Sequence, residues 1–165
     1  MEIETTRDIA RQILRHRSFS FQEFSQRYAV SEGFIQDSQA RLQDTKNRQN
    51  SLYTDDISIQ NWFEGAQRRI VTEAKFLYSS ALEKGIAKEC ARVLLPEGLT
   101  VSRMYMNGTL RSWLHYIDIR CDSATQKEHR DVANQCRDII FAEFPSIKSL
   151  MQAEELLNEQ ASSSL

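Results

Sequence analysis

Very little in this chain forces a helix to stop. It holds two prolines, Pro96 and Pro145, and five glycines in 165 residues. So few breakers favour long helices. The apolar spacing predicts a first helix over about Thr6–Arg17, capped by Thr5 or Thr6, with Ile9, Ala10, Ile13 and Leu14 inward. A long helix is predicted over about Ser58–Lys84. Ile59, Trp62, Phe63, Ala66, Ile70, Ala74, Leu77, Tyr78 and Ala81 form its stripe, and Gly85 lies just past its end. A short helix over Ile86–Leu95 runs into Pro96. Leu99–Met106 is the one strand predicted, followed by an Asn107-Gly108 turn and a helix begun at Thr109. Ser123 with Gln126 reads as a capping box for a helix to about Phe144, with Val132, Cys136, Ile139 and Ile140 inward. Pro145 ends it, and Ile147, Leu150, Met151 and Leu157 suggest a last helix. Residues 29–57 read as an irregular connection, long enough to be functional. The fold class is therefore α+β and helix-rich.

At about 100–200 residues per domain, the length predicts a single domain, placed at 1–159, with a disordered tail at 160–165. No apolar run approaches the roughly 20 residues of a membrane span, and MEIETTRDIA lacks the features of a secretory signal. Cys90, Cys121 and Cys136 are odd in number and widely spaced, with no zinc pattern. They read as reduced thiols of a cytoplasmic protein, with Cys90 in the core. The net charge of -2 argues against binding to nucleic acid by a bulk field. Any anion must be held by local arginines.

Those arginines are unevenly placed. Arg15, His16 and Arg17 are consecutive, and Glu23, Ser25, Gln26 and Arg27 follow in what reads as a turn-like segment. Guanidinium forks, hydroxyls and backbone N–H groups make a phosphate cradle. The plainer reading is a helix C-terminus that favours positive charge. Arg92 interrupts the apolar run CARVLLP, Arg111 sits in a first helical turn, and Arg120 closes HYIDIR. Each fits a structural ion pair taken singly, whereas together they suggest one convergent anion site. Ser25 lacks a G-x-S-x-G elbow, so a hydrogen-bonding role suits it better than nucleophilic attack. His16 and His115 serve equally as acid–base groups or as packed side chains.

The segment RHRSFSFQEFS, with RHR at Arg15–Arg17, seven residues, then Ser25, resembles the signature of the flavin-dependent thymidylate synthases, the ThyX type. The likeness continues through QRY, FIQDSQARLQDTKNRQNS, ARVLLPEGLT, LRSWLHYIDIR and SATQKEHRDVA, in family order from Gln12 to about Phe144. The resemblance implies the thymidylate synthase-complementing fold and the reductive methylation of dUMP to dTMP. Methylenetetrahydrofolate gives the carbon, and FAD, reduced by NADPH, gives the hydride. It implies dUMP contacts at Gln12, Arg15, Glu23, Phe24, Ser25, Gln26, Arg27, Arg92 and Arg120, with Arg120 catalytic in favouring an ionised uracil. It implies FAD contacts at Arg15, His16, Arg17, Glu23, Thr109, Arg111 and His115. It also implies a homotetramer with shared active sites, and no covalent cysteine.

The chain departs from the family pattern at Thr109, where Asn is frequent, and at Gln22, another common Asn position. Family members also carry a further N-terminal segment of strands and helix before the first helix. The expectation is therefore a C-terminal portion of the family domain, less stable alone than a complete member. The alternative reading is a nucleotide- and flavin-binding fragment or subunit that turns nothing over without a separate N-terminal piece.

Overall fold

The computed structural model describes residues 1–27, 33–34, 38–47 and 50–150. Its centre is a three-stranded antiparallel sheet in the order β1-β5-β2, built from β1 (Glu2–Thr6), β2 (Ser20–Glu23) and β5 (Val101–Asn107). The central strand is the one predicted. Its neighbours were not foreseen. β1 takes residues read as a lead-in to the first helix, and it alternates: Ile3 and Thr5 are buried while Glu2 and Glu4 are exposed. Such a short run, half of it charged, carries a weak strand signal until β5 supplies a partner. β2 precedes the expected turn-like segment and takes only Glu23 from it, pairing Glu23 with Met104 and Ser20 with Asn107, while Gln26 and Arg27 do lie in a turn.

The first helix, α1, is correspondingly short, Arg7–Ile13. It buries Ile9, Ala10 and Ile13 as expected, but Arg15–Arg17 lie in the turn after it. Thr6 stands at the N-cap without a side-chain cap bond, its hydroxyl turned to Asp8 Oδ1 instead. The predicted irregular connection holds a small hairpin, β3 (Arg41–Gln43) and β4 (Ser51–Tyr53). Asp44 closes its turn by accepting from the backbone N–H groups of Lys46 and Asn47, which hold its carboxyl below the usual range.

The long helix α2 spans Ile57–Glu83, capped by Asp56, which accepts from the N–H groups of Ser58 and Ile59. Gly85 ends it at φ 76, a left-handed conformation that favours glycine. The predicted stripe is only partly covered. Ala74, Tyr78 and Ala81 are buried with Val71, whereas Trp62, Ile70 and Leu77 remain exposed. Tyr78 and Ala81 join Ala91, Leu95, Phe34 and Leu82 in a small core beneath α3 (Lys88–Ala91) and a 3-10 turn at Arg92–Leu94. Cys90 lies on the exposed side of α3, not in the core as expected.

Helix α4 (Leu110–Arg120) starts as predicted, with Thr109 Oγ1 accepting from the Ser112 N–H at 3.2 Å. Helix α5 (Lys127–Glu143) lacks the capping box. Gln126 stands at its N-cap with no side-chain cap bond, because its amide is engaged by Gln12 and Glu128. Val132, Cys136 and Ile140 face or adjoin the core, but Ile139 is exposed. Residues 145–150 are helical, so Pro145 opens a turn rather than only closing α5. The rest of the predicted last helix, with Met151 and Leu157, and the tail at 160–165 lie outside the described residues. The main core joins α1, α4 and α5 to the sheet through Ile9, Ile13, Phe19, Met104, Met106, Trp113, Tyr116, Ala133 and Ile140.

Candidate active site

The predicted residues gather beside α1. Gln12, Arg15 and Arg120 line a cleft of about 390 Å³ together with Asp8, Arg11 and Glu97. Gln26 and Arg92 line a second cleft of about 300 Å³ with Arg7, Arg11, Val93, Leu95 and Glu97. The two share Arg11 and Glu97, an ion pair that forms a common wall.

Charge balance is what sets this region apart. Arg7, Arg11, Arg27 and Arg41 each pair with a glutamate, Glu23, Glu97, Glu89 and Glu128 respectively. Arg15, Arg92 and Arg120 have no carboxylate partner among the described residues. Arg92 donates from Nε only to the Glu89 carbonyl at 3.2 Å. Arg120 donates from Nε to His16 Nε2 at 2.9 Å. Taken singly, Arg92 and Arg120 suggested structural ion pairs, and neither has a carboxylate partner among the described residues. An orphan donor adds to the pattern. The Gln26 side chain is buried, and its Nε2 has no partner among the described residues. A buried amide N–H left unmade costs on the order of 1–3 kcal/mol, so this one is poised to receive an acceptor.

The other predicted contacts divide. Glu23 accepts from Ser102 Oγ at 2.5 Å and faces Arg7 Nη1 at 3.5 Å. Ser25 is exposed and its Oγ accepts from the Arg27 N–H at 3.3 Å, while Arg27 reaches Glu89 at 3.5 Å. Phe24 is about half exposed. Phe24, Ser25 and Arg27 sit on the surface and Glu23 is partly buried, and none of the four lines either cleft.

The residues implied for flavin take a neighbouring edge. Arg111 and His115 lie one turn apart on α4, both exposed, with Arg17 also exposed. Arg17 and Arg111 have no carboxylate partner among the described residues. Exposed, unneutralised cations beside a histidine suit an anionic dinucleotide. Thr109 is different: its hydroxyl is occupied as the α4 cap and bonds Ser112 Oγ at 3.0 Å.

His16 stacks edge-on against Tyr116 at 4.9 Å. Burial first, then the charges of Arg120 and His115, push its pKa below the ordinary value, so the ring is neutral and able to accept from Arg120. Two of the three cysteines, Cys121 and Cys136, are held as thiols. Burial pushes the Cys136 thiol up to about 11 and raises Cys121 as well.

Several site residues escaped the sequence reading. Arg7 and Arg11 precede Arg15 at steps of four, as Asp8 precedes Gln12. That periodicity was the available signal, since steps of four share a helix face. Glu97, Tyr116 and His129 carried no local signal, and Gln126 only a capping signal, because tertiary packing alone brings them here.

The profile of the family described as thymidylate synthase complementing protein matches residues 1–146. A flavin-dependent thymidylate synthase of Synechocystis sp. is 53% identical over 152 residues, covering 92% of this chain and 70% of that protein. A probable flavin-dependent thymidylate synthase of Paramecium bursaria Chlorella virus 1 is 53% identical over 147 residues, covering 89% of this chain and 68% of the relative. Among solved structures, a UMP/dUMP methylase, PolB, from Streptomyces cacaoi, bound with 5-Br UMP, superposes with a TM-score of 0.76 at 24% identity, over 86% of this chain and 67% of that one. That last likeness establishes a shared fold. With its profile matched from end to end of the described core and its relatives more than half identical, this chain belongs to the thymidylate synthase complementing family, that of the flavin-dependent thymidylate synthases.

Proposed function

We propose that this chain is a flavin-dependent thymidylate synthase that converts dUMP to dTMP, taking a methylene group from methylenetetrahydrofolate. The observation that carries the reading is the set of arginines without carboxylate partners, Arg15, Arg92 and Arg120, around clefts walled by the orphan Gln26 amide. A dianionic nucleotide supplies the missing negative charge. Arg92, beside Gln26, suits the phosphate end. Arg120 suits the base. A guanidinium held beside N3 stabilises the ionised uracil, which raises electron density at C5, where the new carbon bond forms. Its fixed position comes from His16, which holds Nε and leaves both terminal nitrogens without another partner among the described residues.

Arg17, Arg111 and His115 are the residues of this chain that hold the flavin, whose reduced form supplies the hydride that completes the methyl group. NADPH, the reductant, and the folate are the co-substrates of the proposed reaction. Carbon and hydride balance in the products dTMP and tetrahydrofolate, with no enzyme thiol consumed. The exposed apolar face of α2, with Trp62, Ile70, Phe76 and Leu77, supports assembly into the homotetramer expected of the family. No helix among the described residues is long and apolar enough to cross a membrane. With the cysteines free, a cytoplasmic location is part of the same proposal.

Tritium release from 5-tritiated dUMP tests the reading, with FAD, NADPH and methylenetetrahydrofolate omitted in turn. Release that requires each of them is the expected result. A folded protein that retains dUMP and flavin without release supports the binding-only alternative, for which the occupied Thr109 hydroxyl is the favouring observation.

A further inference from the structure

A further cleft, of about 350 Å³, lies between the β3–β4 hairpin and the first turn of α5. Alternation along the paired strands puts Arg41, Gln43, Ser51 and Tyr53 on one face of the hairpin, and all four line the cleft. Lys127 and Arg130 meet them from α5, three residues apart and so on one side of that helix. The lining therefore holds three cations and, among the described residues, no carboxylate. Arg130 donates from Nη1 to the Ser123 carbonyl at 2.8 Å and has no ion-pair partner among the described residues. Lys127 pairs with Asp131 at 2.7 Å, but both side chains are partly exposed, and such a pair holds its lysine weakly. Arg41 is the buried member. Its Nε donates to Ser51 Oγ at 2.9 Å and its Nη2 to Glu128, whereas Nη1 is buried with no hydrogen-bond partner. The Ser51 hydroxyl accepts from Arg41 and keeps its own proton for another acceptor.

This cleft adjoins the one lined by Arg15 and Arg120. Gln126 belongs to its wall, and Gln126 Oε1 accepts from Gln12 Nε2 at 2.8 Å, while Gln12 lines the arginine cleft on the other side. We propose that the cleft between the hairpin and α5 is an oxyanion site, which holds the phosphate or carboxylate end of a co-substrate while the nucleotide fills the neighbouring cleft. Guanidinium, ammonium and hydroxyl donors line one space, the donor set that binds such oxygens. The proposed reaction supplies two ends of this chemistry, the 2′-phosphate of NADPH and the glutamyl carboxylates of the folate. The assignment to a co-substrate rests on the dUMP-methylating reading; the anion site itself does not.

Two measurements test it. The first titrates inorganic pyrophosphate, by calorimetry, into protein saturated with dUMP and FAD, so that the arginine cleft and the flavin edge are already filled. Wild type is expected to take up pyrophosphate at a further site, with an affinity that falls as salt rises. Arg130→Gln is expected to weaken it by about tenfold, the scale of one charge-assisted hydrogen bond, and Lys127→Gln by less. Arg68→Gln, on the surface of α2, leaves it unchanged. No uptake by wild type, or equal affinity in R130Q, overturns the inference. If dUMP itself does not bind, the nucleotide reading falls, and the R130Q comparison still judges the anion site. The second measurement separates the sources by KM. R130Q is expected to raise KM several-fold with kcat kept. A rise for NADPH and not NADH assigns the 2′-phosphate. A rise greater for triglutamyl than for monoglutamyl methylenetetrahydrofolate assigns the tail. Unchanged KM for all four overturns the co-substrate assignment.

Discussion

Arg120 Nε donates to His16 Nε2 at 2.9 Å, one cationic donor resting on one neutral acceptor. A protonated imidazole has no lone pair to offer, so the bond exists only while His16 stays uncharged. The RHR histidine thereby holds the arginine that closes HYIDIR, across 104 residues of sequence.

That contact separates two roles of Arg120. Arg120→Lys keeps a charge but gives up the fork, since a single ammonium cannot bond His16 and a uracil edge in the same geometry. The expected outcome is a fall of about 10²–10³ in kcat with a smaller change in dUMP affinity. Single-turnover dTMP formation, with dUMP affinity measured alongside, checks it. Wild-type kcat in the lysine variant would contradict the assignment.

The two histidines of depressed pKa, His16 and His129, also set a pH dependence of stability. Both have folded-state pKa values below the ordinary 6.5, and His129 lies at about 4. The unfolded chain therefore binds protons first as pH falls. Stability contributed by the neutral rings is complete above about pH 6.5 and is lost between there and pH 4, by roughly 3 kcal/mol for His129. Carboxylates titrate in the lower part of this range, so the comparison is with H129N, which lacks the ring. Chemical denaturation at pH 7 and pH 5 should show a steeper loss in wild type. Parallel curves would refute the shift.

Arg92 and Arg68 provide a contrast within one chain. Arg92 lines the smaller cleft without a carboxylate partner, whereas Arg68 pairs with Glu64 on the surface of α2. Arg92→Ala is expected to weaken dUMP binding by at least about tenfold, in line with loss of a charge-assisted hydrogen bond. Arg68→Ala should leave it unchanged. Isothermal titration distinguishes the two, and equal effects would remove Arg92 from the site.

Gly108 sits under an aromatic ring. A Cβ built on it lies 2.5 Å from Phe19 Cδ1 and 2.7 Å from Cε1. Phe19 is itself held edge-on to Trp113 at 4.8 Å, so it has little room to move. Gly108→Ala should cost about 1–3 kcal/mol, the scale of overpacking, and lower the melting temperature. Gly65→Ala is the control, because nothing lies within 4 Å of the added carbon. A melting temperature unchanged in G108A would mean that the ring relocates freely.

What could be read from the sequence followed from local periodicity and local turn chemistry. The α2 span, the Gly85 stop, the β5 strand and the Thr109 cap each depend on residues within a few positions of one another. The elements missed were those whose signal is non-local. β1 and β2 are short and polar, and they become strands because β5 offers each a row of backbone partners. The Ser123–Gln126 capping box failed for a related reason: Gln12 and Glu128 compete for the amide that would have capped α5. Cys90 was misplaced because a four-residue helix has too little surface for periodicity to choose a buried side.

The site divides along the same line. Sequence alone determined the family, since RHR, the serine at Ser25 and the later blocks follow one another in order, and a motif of contiguous residues survives without knowledge of the fold. It also determined which arginines to suspect. Only the tertiary structure decided which of them are neutralised. Arg27 found Glu89 and Arg11 found Glu97, whereas Arg15, Arg92 and Arg120 found no carboxylate among the described residues. The physical reason is range. Helix and turn preferences act over a few residues, whereas an ion pair or the His16–Arg120 hydrogen bond needs groups far apart in the chain to meet within about 3–4 Å.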